Sequence, residues 1–129
     1  MPEIKIMSIE QLLQIPNLES SYKHMIIFVT TKPNYYDFGC TNFALLNIAD
    51  TDVPVISPNI ISTLKYRISE GRLYDTIYVC CDAGLSRSPA VALFLARKLG
   101  EYEQGDKIDE KYRFLNGALY KRLMEINNG

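Results

Sequence analysis

Val79-Cys80-Cys81-Asp82-Ala83-Gly84-Leu85-Ser86-Arg87-Ser88-Pro89 is the stretch on which the reading of this chain turns. It joins two segments of different character. Before it, Thr76-Ile77-Tyr78-Val79-Cys80 is a short run rich in branched and aromatic residues, which suits a strand buried on both faces. After it, Pro89 to Leu99 is apolar almost all round (Ala90, Val91, Leu93, Phe94, Leu95), the pattern of a central, largely buried helix. Arg97 and Lys98 fall at the negative end of that helix, and Gly100 can terminate it. Cys81 ends the strand, so Asp82 to Ser86 must turn the chain, and Gly84 allows the positive φ such a turn needs. Successive N–H groups in a loop of this kind form an anion nest, strengthened by the positive end of the following helix. Arg87 adds a planar fork that fits two oxygens of an oxyanion at once. A thiol at the mouth of such a nest ionises easily, its free value near 8.5 falling to roughly 3.5–7.5 at helix N-termini beside cations.

Working outward, Ile4-Lys5-Ile6 reads as a short strand. Ser8 and Gln11 form a capping-box pattern for a short helix through Leu12 and Leu13. Met25 to Val29 is another fully buried strand. Asn42 to Ile48 reads as a strand too, although Ala44-Leu45-Leu46 also suits a helix. Ser57 as N-cap, Pro58 as first helical residue and Gly71 as terminator bracket a helix with Ile60, Ile61, Leu64 and Ile68 on one face. Glu101 to Asp109 reads as a polar loop. A last helical region follows, with Leu115, Leu119, Leu123 and Ile126 at helical spacing and Gly117 as a break near its start. Strands alternating with helices predict an α/β domain with a central, mainly parallel sheet of four to five strands flanked by helices. In such sheets ligands bind at the carboxyl ends of strands, which again selects the junction after Cys80.

Composition bounds the chemistry. The 129 residues are near the commonest size of one domain, and no repeat or linker divides them, so residues 1–129 are expected to form a single catalytic domain. Apolar residues at 47% and charged residues at 22% are ordinary globular values. Fourteen Lys and Arg oppose fifteen Asp and Glu, a balance that argues against a general nucleic-acid or anionic-membrane binder. There is no Trp, a single His (His24), and three Cys (Cys40, Cys80, Cys81). Sites needing several histidines are thereby excluded. An odd cysteine count with two adjacent residues also argues against a disulfide-stapled secreted scaffold. Met1-Pro2-Glu3-Ile4-Lys5 lacks the blocks of a signal peptide, and no apolar run approaches the length of a membrane span. A soluble, reduced, cytoplasmic monomer is the expectation.

Cys81-x-x-Gly84-x-x-Arg87-Ser88 resembles the signature loop of the cysteine-based protein tyrosine phosphatases, H-C-x-x-G-x-x-R-[S/T], and the layout around it resembles the small dual-specificity branch. A chance match of Gly, Arg and Ser or Thr downstream of one of three cysteines is on the order of one in a thousand at average usage. The resemblance implies that Cys81 is a nucleophile forming a phosphocysteine intermediate, and that Arg87 binds phosphoryl oxygens. It also implies that Ser88 hydrogen-bonds the Cys81 sulfur and eases its departure, and that no metal or cofactor is needed. The phosphoryl group would be bound by the backbone of Asp82, Ala83, Gly84, Leu85, Ser86 and Arg87. The family's general acid is an Asp about thirty residues upstream, after a strand. Asp50, thirty-one residues before Cys81, fits that register, and Asp52 on the same segment competes with it. Asp50 is favoured because it follows the Leu46-Asn47-Ile48-Ala49 strand end directly. Cys80 stands where the family usually has His, so the loop is expected to be less tightly ordered than in typical members.

Each of these residues also has a plainer role open to it. Cys81 can be a buried strand cysteine, Arg87 a structural ion-pair partner, Ser88 a helix cap ahead of Pro89, and Asp50 an ordinary loop carboxylate. Cys80 should point away from Cys81 along the strand and serve in packing. Cys40 or Cys80 can be a redox partner of Cys81, His24 a strand-entry residue, and Tyr35 and Tyr36 the lining of a pocket entrance. Gly84 to Ser88 fails the G-x-S-x-G elbow at its last position, a zinc site lacks ligands, and no nucleotide P-loop is present. Asp82, Ala83, Leu85 and Ser86 bring no cation into the loop, which favours a singly phosphorylated partner such as a phosphotyrosyl protein or peptide, or a small phosphomonoester. A non-catalytic phosphate-binding module of the same fold is the rival reading.

Overall fold

The computed structural model describes residues 2–15, 23–31, 43–70 and 73–127. Cys40, Tyr35, Tyr36, Asn42 and Gly71 lie outside the described residues. Four strands, β1 (Glu3–Ser8), β2 (His24–Val29), β3 (Phe43–Leu46) and β4 (Thr76–Cys81), form one sheet in the order β1-β4-β2-β3, every pair parallel. Five helices complete the described chain: α1 (Ile9–Leu13), α2 (Pro58–Glu70), α3 (Arg87–Lys98), α4 (Tyr102–Lys111) and α5 (Gly117–Asn127). None of them is long and apolar enough to cross a membrane. The α/β class and the parallel sheet follow the alternation legible in the sequence.

Among the described residues, the two faces of the sheet pack against different elements. Alternation along β2 and β4 sends Met25, Ile27, Val29, Ile77, Val79 and Cys81 to one face, where they pack with Val91, Phe94 and Leu95 of α3 and with Leu64, Ile108, Leu119 and Leu123. Among the described residues, the opposite side chains, Ile26, Phe28, Tyr78 and Cys80, cluster with Ile9 and Leu12 of the short α1 and with the half-buried Met7 and Ile15. Cys80 therefore does point away from Cys81. The Ser8–Gln11 capping box forms as expected, with Gln11 N–H donating to Ser8 Oγ (3.1 Å) and Ser8 N–H to Gln11 Oε1 (2.9 Å). Ser57 Oγ accepts the Ile60 N–H at 3.4 Å, as a cap for α2. Gly100, at φ 77°, closes α3, with Glu101 N–H reaching Ala96 O at 2.8 Å.

Three sequence expectations need correction. The segment read as a polar loop from Glu101 to Asp109 is α4, because one buried Ile108 and a close approach at Gly105 suffice to dock it. A Cβ on Gly105 would meet Ala96, Arg97 and Leu93 side-chain atoms at 3.6 Å. The helix after the loop begins at Arg87, not Pro89. Proline is tolerated in a first turn because the N–H it lacks has no intrahelical partner there. Gly117 does not break the last helix but starts it, with Asn116 Oδ1 accepting Leu119 N–H at 3.0 Å as its cap.

Candidate active site

The carboxyl end of β4 and the N-terminus of α3 meet across Asp82 to Ser86, and the chain curls around the sulfur of Cys81. Gly84, at φ 71°, donates its N–H to Cys81 Sγ at 3.1 Å. No other residue fits at that position. A Cβ would stand 2.6 Å from Ser8 N and 2.7 Å from Met7 C, and the positive φ disfavours any side chain. Because α3 starts at Arg87, Ser88 lies inside its first turn with its hydroxyl buried, and Ser88 Oγ is 3.1 Å from Cys81 Sγ. A cap ahead of Pro89 is thus not its role. Burial opposes ionisation of Cys81, but the Ser88 hydroxyl and the N–H groups of Ser88, Gly84 and Ser86 outweigh it and hold the thiol below its usual range. Cys80 is pushed up to about 12, first by burial and then by the neighbouring Cys81, so the two adjacent thiols are set apart chemically.

Arg87 is 9% exposed and enters the site from the first residue of α3. Its Nη1 donates to Ile48 O at 3.1 Å, and its Nη2 to Asp82 Oδ2 at 2.9 Å. Asp82 Oδ1 in turn accepts the Thr30 hydroxyl at 3.0 Å from the end of β2. From sequence, Asp82 is expected to bind through its backbone and, being acidic, to disfavour highly anionic substrates. Its side chain proves to be the arginine's partner.

Asp50 follows β3 on a segment fastened to the loop. Ser86 sits at the N-cap of α3 but makes no side-chain capping bond; its hydroxyl donates instead to Asp50 Oδ1 at 2.8 Å. Asn116 Nδ2 donates to the same oxygen at 2.9 Å and to Thr51 O at 3.0 Å, and Asn116 N–H reaches Ser86 O at 3.0 Å. Both side-chain donors reach the same oxygen, Oδ1, and so fix the Asp50 carboxylate beside the loop. Among the described residues, no hydrogen bond ties Asp52 to the loop. Asp52 borders a groove formed by Val53 to Ile56 with Lys121, Arg122 and Glu125 of α5. The structure thus brings together Cys81, Gly84, Ser86, Arg87, Ser88 and Asp50, and leaves Asp52 aside. Ala83 and Leu85 are exposed on the outer turn of the loop. Asn116 was missed; its only sequence signal is an amide immediately before a helix, which reads as a cap and nothing more. Among the described residues no group of three or more His, Cys, Asp and Glu side chains could hold a metal ion.

No family model matches the chain, and no curated protein matches it in sequence. Solved structures do match it in fold. DUSP15 superposes with a TM-score of 0.65 at 17% identity, covering 98% of this chain and 83% of that one. PTPMT1 gives 0.58 at 15% identity, covering 97% and 89%. The human tyrosine phosphatase-like serine/threonine/tyrosine-interacting protein gives 0.53 at 21% identity, covering 82% and 76%. The fold is that of the small dual-specificity cysteine phosphatases, as the signature-loop resemblance implied.

Proposed function

We propose that this chain is a metal-independent phosphate monoester hydrolase acting through a phosphocysteine intermediate, with phosphotyrosyl protein or peptide as its substrate class. The observation that carries this reading is the Cys81 sulfur, ringed by the N–H groups of Gly84, Ser86 and Ser88 and held toward its ionised form at the N-terminus of α3. In the first step the Cys81 thiolate attacks phosphorus in line, forming the S–P bond as the ester P–O bond breaks. The loop N–H groups and the Arg87 guanidinium stabilise the equatorial oxygens. Asp50 delivers a proton to the leaving oxygen, so an alcohol or phenol departs. In the second step water attacks phosphorus and gives its proton to Asp50. The S–P bond breaks, and the sulfur leaves as a thiolate that receives the Ser88 hydroxyl hydrogen bond.

Substrate charge is argued from the loop. Asp82 offsets the Arg87 charge, Leu85 is apolar and half exposed, and no loop position adds a cation, all of which supports a singly phosphorylated group over a polyphosphorylated one. The deciding experiment follows p-nitrophenyl phosphate turnover by wild type and Cys81→Ser. A burst of nitrophenol with phosphate trapped on Cys81 is expected from wild type, and no turnover from the variant. Undiminished turnover by Cys81→Ser rules out the nucleophile. Tight binding of phosphopeptide by a wild-type protein that shows no burst supports instead a phosphate-binding module of the same fold.

A further inference from the structure

The Asp82 side chain lies between the residue that follows β2 and the first residue of α3. Its Oδ2 takes the Arg87 Nη2 hydrogen bond at 2.9 Å, and its Oδ1 takes the Thr30 hydroxyl at 3.0 Å. The Arg87 side chain is 11% exposed and that of Asp82 28%. An N–H donor in so enclosed a place has little water to turn to, so losing its acceptor forces the guanidinium to rotate or leaves the donor unsatisfied. The other terminal nitrogen is held by Ile48 O at 3.1 Å. Two acceptors on different elements therefore fix the plane of a side chain with several rotatable bonds, and the orientation of that plane decides whether its fork meets an oxyanion.

We propose that Asp82 is a positioning residue: anchored by Thr30 at the end of β2, its carboxylate sets the orientation in which Arg87 receives the phosphoryl oxygens. This rests on the oxyanion role given to the loop above. Two effects oppose each other when Asp82 is removed. Loss of the negative charge favours anion binding, whereas loss of the acceptor lets the guanidinium turn away. The second effect dominates, because a charge that is not aimed at the oxygens gives up the two-pronged contact, while a general increase in potential is screened at this partly open mouth.

The test is calorimetric titration with tungstate, an oxyanion probe that needs no turnover, alongside aryl phosphate kinetics. Asp82→Ala is expected to weaken tungstate binding and lower kcat about tenfold or more, as loss of one preorganised oxyanion donor does. Asp82→Asn, which keeps an acceptor without the charge, is expected to stay within about threefold of wild type or to bind tighter, since acceptor geometry rather than charge is what is retained. In an Arg87→Ala background the Asp82→Ala change is expected to have almost no further effect on tungstate binding, because residues acting through one another are non-additive. Thr30→Val, which removes the hydroxyl from Asp82 Oδ1, gives an answer even if Asp82→Ala does not fold. A loss of about threefold in tungstate affinity is expected, less than the full worth of a hydrogen bond to a carboxylate because Thr30 acts on Arg87 only through Asp82. Wild-type affinity in both Asp82→Ala and Thr30→Val, or an undiminished Asp82→Ala loss without Arg87, overturns the proposal. So does a wild-type protein that binds no tungstate. A wild type that binds tungstate with this mutational pattern but hydrolyses no ester upholds the role of Asp82 and removes the phosphatase reading.

Discussion

At the scale of single residues, the consequence easiest to measure is the divergence of two neighbouring thiols. Cys81 is held low by the loop N–H groups and Ser88, whereas Cys80, fully buried beneath α1, is pushed up to about 12. Iodoacetamide at about pH 6.5, two units below a free thiol, should alkylate Cys81 and leave Cys80 intact, with peptide mass spectrometry as the readout. Modification of Cys80 ahead of Cys81 would contradict the orientation of both side chains. Asp50 and Asp52 separate as clearly. Asp50→Ala should lower turnover of an aryl phosphate by roughly 10²–10⁴-fold, the usual size of a general-acid contribution. Asp52→Ala should leave turnover close to wild type, because no hydrogen bond among the described residues fastens Asp52 to the loop. A large loss in Asp52→Ala with none in Asp50→Ala reverses the assignment. Cys81, Gly84, Arg87 and Ser88 were legible in the sequence because their spacing is local and each has a distinct chemistry. Asp82 and Asn116 were not, since their partners Thr30, Asp50 and Ser86 are brought close only by the fold.

Among the elements, α3 and β1 set the tightest constraint. The loop crosses so close to the start of α1 that Gly84 nearly touches Met7 and Ser8 backbone atoms. Gly84→Ala should therefore destabilise the protein by roughly 2–4 kcal/mol, combining backbone strain at positive φ with overlap that only main-chain movement relieves. Chemical denaturation measures it, and a variant as stable as wild type would mean the loop can shift freely. α4 shows why its helical state was hidden. Gly105, Asp106 and Asp109 are weak helix formers, and its apolar content is nearly limited to Ile108. Its helix is secured from outside: Gln104 Oε1 accepts the Ile4 N–H at 2.8 Å and Gln104 Nε2 donates to Pro2 O at 2.8 Å. A glutamine amide thus pairs with the edge of β1 as a neighbouring strand would, and sequence periodicity carries no trace of such a bond. α3, by contrast, was legible because burial on every side leaves an apolar run with a glycine stop. Its start was misplaced by two residues because proline at its third position resembles a first residue.

For the whole molecule, the sheet order β1-β4-β2-β3 puts the strand that ends in Cys81 between two neighbours, with both of its faces covered. Covering both faces requires one cysteine to enter each core, and this couples global stability to pH. A thiol whose folded pKa is raised stays protonated in the native state while the unfolded chain releases its proton. Native protein then binds more protons than unfolded protein between the two values, and the slope of stability against pH is negative there. For Cys80 that window opens near the value of a free thiol and closes at about 12. The Cys80 contribution is complete below the window and is lost progressively as pH rises through it. Cys81 has the opposite sign: its lowered folded pKa adds stability above the unfolded value, and that stability is lost as pH falls through the lowered one. Nine tyrosines and the lysines also titrate at alkaline pH, so a single curve does not isolate Cys80. Their contributions cancel in the difference between wild type and Cys80→Ala, measured by urea denaturation at several pH values above 8. Cys80→Ala should be less stable than wild type near neutrality, having lost packing against Phe28 and Leu12. The gap should then narrow with rising pH, by at most about 1.4 kcal/mol per pH unit, the limit for one proton. A gap that stays constant up to the alkaline transition would mean that Cys80 ionises as easily in the folded protein as in the unfolded chain, and that the α1 face of the sheet admits water.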